Sequence, residues 1–153
     1  MEYLDDAMRF HVFRYLSKPI DKQRLFRNLN DAISELNRRN ILANRHISVC
    51  SDRVSIEISL SDIAYIESLR HKTIIRTMHN EYSSSITLTH WLEILPKEYF
   101  IQIHRSYIVN MQYISDYDQT FVYMCGGKFK AFITSRKYSY FKKAYLGFIE
   151  RSR

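Results

Sequence analysis

The sequence predicts a mostly β domain with short helices, preceded by a strand-and-helix unit of different texture. Three observations carry that reading. From Arg45 onward the apolar residues fall in short alternating runs, clearest where Val54, Ile56, Ile58 and Leu60 alternate with Ser55, Glu57 and Ser59. Gly126-Gly127, between two such runs, is a two-residue hairpin signal because glycine accepts positive φ. The first 40 residues instead hold one short apolar run, then Leu25, Leu29, Ala32, Ile33 and Leu36 at helical spacing.

Composition bounds the rest. The 153 residues are 46% hydrophobic and 14% aromatic, enough for one modest core and too apolar for a disordered chain. Lys and Arg number 23 against 16 Asp and Glu, a net +7, so charge favours a polyanionic partner. Residues 1–40 carry +2 of this excess and residues 41–153 carry +5. Cys50 and Cys125 lie far apart in strand-like runs, which predicts two reduced, core-facing thiols and no disulfide framework. Glu2, Asp5 and Asp6 precede any apolar run and no stretch approaches bilayer length. The expectation is a cytoplasmic protein with neither signal peptide nor membrane partner.

Taken in order, Val12, Phe13, Tyr15 and Leu16 predict a short strand, Ser17-Lys18-Pro19 breaks it, and Asp21 is placed to cap a helix over residues 20–36. The polar run Asn37-Arg38-Arg39-Asn40 reads as a junction. One strand and one helix cannot bury a core alone. Ile47 and Val49 open the β-rich part, and residues 54–60 and 63–67 follow as strands. The basic tip Arg70-His71-Lys72 leads into a return strand over residues 73–78. Ser85 or Thr87 caps a short helix carrying Leu88, Trp91, Leu92 and Leu95, which Pro96 ends. Trp91 reads as core.

Residues 99–110 hold polar side chains inside an otherwise apolar segment: a strand from Phe100 to a corner at His104-Arg105-Ser106, then Tyr107, Ile108 and Val109. Strands are expected from Ile114 and over residues 121–125, with Phe129, Ala131 and Ile133 returning from the glycines. Ser135 is placed to cap a last helix with Tyr138, Phe141, Tyr145 and Phe148 towards the core, and Lys142, Lys143, Arg151 and Arg153 along or beyond it.

Three basic tips therefore stand at strand ends: Arg70-His71-Lys72, His104-Arg105-Ser106 and Ser135-Arg136-Lys137. Each alone reads equally well as a solvated turn. Brought to one edge, they would form a row of donors able to follow a duplex. His104 and Ser106 lack a third orienting group and nucleophile-elbow glycines, so no catalytic residues are expected. Six histidines without metal-ligand spacing predict neither metal nor other cofactor. The side chains of His104 and Asn110 are expected to tie the corner to nearby backbone and hold Arg105 outward.

Specific stretches now resemble a known family. They are Asp62-Ile63-Ala64-Tyr65-Ile66-Glu67-Ser68, the helix over residues 88–95 with Pro96, the run 100–110 with its His-Arg-Ser and Val-Asn, and residues 133–138 with Ser135-Arg136. From Ile47 to Ile149 the chain resembles a LytTR DNA-binding domain, the output module of LytR/AlgR-type bacterial response regulators. Lys18-Pro19 after an apolar strand, with a helix following, resembles the C-terminal end of a receiver domain. The implied organisation is a partial receiver domain and linker at residues 1–40 and a LytTR-type domain at residues 45–150. In receivers the matching lysine contacts a phosphoryl group on an aspartate. The acceptor would lie upstream of Met1, so Lys18 has no phosphoryl group to sense in this chain.

The resemblance implies short strands packed in layers, with loops entering successive major grooves. It assigns DNA contacts to the loop matching Arg70, His71, Lys72 and Thr73, to Arg105 and to Arg136, with Ser106 and Lys137 beside them. The implied function is sequence-specific binding of double-stranded DNA to control transcription in a two-component, phosphorelay system, without enzymatic activity. Paired half-sites near a helical turn apart imply two copies on DNA. A homodimer through Leu25, Leu29 and Ile33 is then expected, with a sensor kinase as partner only of a longer parent holding an intact receiver. Two other readings stand beside it. One is a single-stranded nucleic acid binder, suggested by 12 Tyr and 9 Phe beside a basic excess. The other is a protein-interaction module without nucleic acid.

Overall fold

The structure, a computed structural model, describes Pro19 and residues 21–152, and the strand expected at Val12 to Leu16 lies outside the described residues, as does Lys18. The chain divides into two compact units, residues 1–41 and 42–153. Helix α1 spans Lys22–Ala43. Asp21 caps it: Oδ1 accepts from the Gln23 N–H at 3.0 Å and the Asp21 carbonyl accepts from the Leu25 N–H at 2.9 Å. The helix continues well past Leu36, so the polar run 37–40 is helical and does not end it, and the division between the two units falls just after it. Arg is a good helix former, and neither Gly nor Pro interrupts the run. Phe26, Leu29, Ile33 and Leu36 are 47% to 64% exposed.

In the second unit, β1 (His46–Ser51) and β2 (Val54–Ser59) form an antiparallel hairpin. Its two turn residues, Asp52 and Arg53, have φ of 50° and 68°, the left-handed pair that matches the twist of the flanking strands. A five-stranded antiparallel sheet follows, built from β3 (Ile63–Leu69), β4 (Lys72–Thr77), β5 (Glu81–Ser84), β6 (Phe100–His104) and β7 (Tyr107–Asn110). Its order is β5-β4-β3-β7-β6. Helix α2 (Leu88–Ile94) precedes β6, and Thr87 caps it by accepting from the His90 N–H at 3.3 Å. A three-stranded sheet, β8 (Ile114–Tyr117), β9 (Phe121–Met124) and β10 (Phe129–Phe132), leads into α3 (Ser135–Ser152).

The five-stranded sheet is covered on both faces, which is why Ile63, Ala64, Tyr65 and Ile66 are buried in succession. On one face Ile63, Ile66, Ile75 and Ile108 pack with Leu88, Trp91 and Leu95 and with Val49 and Ile58 of the hairpin. On the other, Ala64, Tyr65, Ile103 and Val109 pack with Val122, Met124, Ala131, Ile133 and Phe141. The result is a mostly β, layered fold with short helices, as expected.

Local expectations fared unevenly. Gly126 and Gly127 take φ of 67° and 87°, but Met124 faces Phe129, so the loop is the four residues 125–128 and not a two-residue turn. Ser135 is the first residue of α3 and not its cap; the Thr134 carbonyl accepts from the Lys137 and Tyr138 N–H groups at 2.9 and 3.0 Å. Neither cysteine is a core thiol. Strand alternation that buries Val49 turns Cys50 outward, and Cys125 sits half-buried at φ 55° where β9 ends.

Candidate nucleic-acid interface

Register places the basic tips. Leu69 faces Lys72 across β3 and β4, which leaves Arg70-His71 as the turn, with Arg70 at φ 58°. His104 faces Tyr107 across β6 and β7, which leaves Arg105-Ser106. Because β3 also pairs with β7, Glu67 opposite Tyr107, both turns lie at the same end of the sheet. The Ser68 N–H donates to the Ser106 carbonyl at 2.8 Å and ties them together. Two strand spacings separate their centres by about 10 Å.

The third tip joins them through β6. The Thr134 N–H donates to the Ile103 carbonyl at 3.2 Å, and Lys137 Nζ donates to Gln102 Oε1 at 2.7 Å. These bonds fix the start of α3, and Arg136 with it, beside the end of β6. The row therefore reads Arg70-His71-Lys72, then Arg105-Ser106, then Arg136-Lys137. Arg70, His71, Lys72, Arg105 and Arg136 are exposed, while Ser106 and Lys137 are half-buried.

The middle turn is braced from several sides. His104 Nδ1 accepts from the Ser106 N–H at 3.1 Å, which requires an unprotonated Nδ1. Its ring packs on Tyr107 and Phe132, each at 5.6 Å between centroids. Burial, then the charges of Arg105 and Lys137, lower the His104 pKa below 6.5. Asn110, expected to tie this corner, instead lies fully buried at the opposite end of β7, facing Phe100; its Nδ2 donates to the Ile63 carbonyl at 2.9 Å and its Oδ1 accepts from the Gln112 N–H at 3.1 Å. The Tyr107 hydroxyl donates to Glu67 Oε1 at 3.0 Å. Glu67 Oε2 lies 3.6 Å from Arg76, which also pairs with Glu81. Burial and the bond to Glu67 raise the Tyr107 pKa.

Thr73 does not belong with the other candidates. It is 2% exposed; its hydroxyl donates to the Ile86 carbonyl at 2.7 Å and accepts from Trp91 Nε1 at 3.0 Å. Strand alternation that turns Lys72 outward turns Thr73 into the core. The sequence reading also missed Phe132, 42% exposed against His104, and Lys130, whose Nζ lies 4.9 Å from the centroid of Phe121. The signal was available, since buried Ala131 in β10 leaves its neighbours Lys130 and Phe132 facing outward.

Among the described residues no cluster of His, Cys, Asp or Glu could hold a metal ion. No described helix is long and apolar enough to cross a membrane. The row offers guanidinium forks, which bind phosphate or the O6 and N7 of guanine in a bidentate manner, with hydroxyl, imidazole and ammonium donors between them.

The class the fold defines is a layered β domain that gathers two basic turns and the basic start of α3 at one end of its central sheet. The family is more specific: residues 53–146 match the model of the LytTr DNA-binding domain, and the chain belongs to the LytTR family. It is 25% identical over 121 residues to the sensory transduction protein LytT of Bacillus subtilis, covering 75% of this chain and 50% of that protein. It is 25% identical over 129 residues to the transcriptional regulatory protein YpdB of Escherichia coli, covering 78% and 53%. For the transcriptional regulatory protein LytR of Staphylococcus aureus the identity is 26% over 133 residues, covering 80% and 54%. The chain spans about half the length of these relatives. A solved LytTr DNA-binding domain of a methyl-accepting/DNA response regulator from Bacillus cereus superposes with a TM-score of 0.58 at 27% identity, covering 67% of this chain and 96% of that one. The chain thus carries a DNA-binding domain of the kind found in transcription regulators.

Proposed function

We propose that this chain binds double-stranded DNA sequence-specifically and controls transcription as the output part of a cytoplasmic two-component response regulator. The alignment of two basic turns and the basic first turn of α3 at one sheet end is the observation that carries this reading. Arg105 and Arg136 take base edges in the major groove, and Arg70, His71, Lys72, Ser106 and Lys137 hold phosphates on either side. The domain works by binding, without catalysis.

Two copies occupy paired half-sites, joined through the exposed apolar side chains of α1. Sedimentation at rising concentration, with and without DNA, tests that pairing; a monomer throughout would remove it. Residues 1–40 represent the end of a receiver domain, and a sensor kinase is the partner of a longer parent that includes the rest.

Single-strand binding is disfavoured by where the aromatics go. Tyr117, Phe141, Tyr145 and Phe148 pack on one another inside the second unit, leaving few rings free to stack on bases. The deciding experiment is selection from a random duplex library at moderate salt, with the native chain and with Arg105→Ala/Arg136→Ala. An enriched pair of half-sites, lost in the variant, is the expected result. Binding without any enriched motif that fades with salt would reduce the domain to a basic surface.

A further inference from the structure

Beside the Arg136-Lys137 tip, α2, β6 and α3 surround a groove of about 690 Å³, within the size range of small-molecule sites. Leu92, Phe100, Tyr140 and Ala144 give it an apolar lining, and Tyr140 stands at its rim, 66% exposed. Two lysines, Lys97 and Lys137, are among its lining residues. Glu93 also borders it, but its carboxylate is engaged by His90 Nδ1 at 3.1 Å. Lys137 directs one of its three donors to Gln102 Oε1 and keeps two for another acceptor.

We propose that this groove is a binding site for an amphipathic anion, a single carboxylate on an aliphatic or aromatic body. The lining removes the apolar body from water, and Lys137 and Lys97 pair with the carboxylate. Burial lowers the Lys137 pKa, so a carboxylate beside it also offsets the desolvation of its ammonium. An inorganic phosphate would satisfy the lysines and leave the apolar lining wet; a neutral hydrocarbon would leave the lysines unpaired. Lys137 is shared with the row proposed to meet DNA, so the test contains no DNA and reads the groove alone.

The probe is decanoate, titrated into the full chain below the concentration at which it forms micelles, with decanol and decyltrimethylammonium as controls. Amide ¹H–¹⁵N shifts are expected to concentrate at Leu92, Gln102 and Ala144, with decanoate binding at least tenfold tighter than either control. Lys97→Glu/Lys137→Glu is expected to weaken decanoate at least tenfold and to improve the cationic control. Ala144→Trp, which fills the groove, is expected to abolish all three; should it fail to fold by circular dichroism, Tyr140→Ala at the exposed rim replaces it, with a severalfold loss. Equal affinity for the three probes, shifts scattered over the domain, or no saturable binding would each overturn the proposal.

Discussion

The two hairpin turns at the recognition end differ in how they are held. In the β6–β7 turn, His104 accepts from the Ser106 N–H, Ser106 accepts from Ser68, Tyr107 bonds Glu67, and Asn110 anchors the far end of β7. In the β3–β4 turn, Arg70, His71 and Lys72 make no side-chain hydrogen bond or ion pair among the described residues, and Leu69 beside them is 52% exposed. One arginine is thus presented from a fixed frame and the other cations from a free one. Bidentate recognition of a base needs a fixed approach, whereas phosphate attraction tolerates a range of positions. The braced turn is suited to specificity and the free turn to affinity.

The largest test removes the anchor at the far end of β7, away from the turn. Asn110→Ala leaves the Ile63 carbonyl and the Gln112 N–H without their partner in a fully buried site, and each orphaned group carries its own desolvation penalty. The expected loss of stability is about 3 kcal/mol by urea unfolding. A loss below about 0.5 kcal/mol would mean that the frame is held by strand pairing alone.

Next comes the contrast between the turns themselves. Arg105→Ala is expected to cost about 1–3 kcal/mol on the preferred duplex and to relax preference at one position. Lys72→Ala is expected to weaken all sequences alike and to lower the salt slope by about one. Both are read by fluorescence anisotropy across a salt series. Equal, sequence-independent losses would erase the distinction between the turns.

Much of this arrangement was legible in the residues, and the exceptions have physical causes. Alternation and the Gly126-Gly127 pair gave the strands, and His104-Arg105-Ser106 marked the corner before any coordinates. What a single chain cannot encode locally is which strand lies beside which: the meeting of the three tips depends on β3 pairing with β7 and on α3 docking beside β6. Thr73 is not a loop residue: the expected loop 70–73 runs two residues into β4, where the pleat turns Thr73 to Trp91. Cys50 was misplaced by treating a strand as uniformly buried. Polar residues 37–40 resemble a linker by polarity, yet they hold neither Gly nor Pro, and the two arginines let the helix run on despite the asparagines on either side.

A smaller effect tests the side-chain strut between the two strands. Tyr107→Phe keeps the ring against Tyr65 and His104 and removes only the hydroxyl bonded to Glu67. The expected loss is about 1 kcal/mol in stability, with weaker discrimination between duplexes and an unchanged salt slope. If the salt slope changed instead, the strut would be serving phosphate contacts.

The smallest expected effect is also the most local. Burial, with Arg105 and Lys137 nearby, depresses the folded His104 pKa below the ordinary 6.5, so the fold favours the neutral ring that accepts from Ser106. As pH falls through 6.5 the unfolded chain takes up this proton first. Stability contributed by His104 is therefore present above 6.5, declines as pH drops, and stops declining below the folded pKa. Imidazole NMR should place the His104 midpoint below 6.5, and His104→Gln should flatten this part of the stability profile. Protonation occupies Nδ1 and releases the Ser106 N–H, so acid should loosen the β6–β7 turn and reduce sequence preference. The β3–β4 turn has no such bond to lose, so its phosphate contribution should not fall through this route. A loss of preference confined to the position read by Arg105 would locate the pH response in the brace; a uniform gain in affinity for all sequences would locate it in the protein's added positive charge.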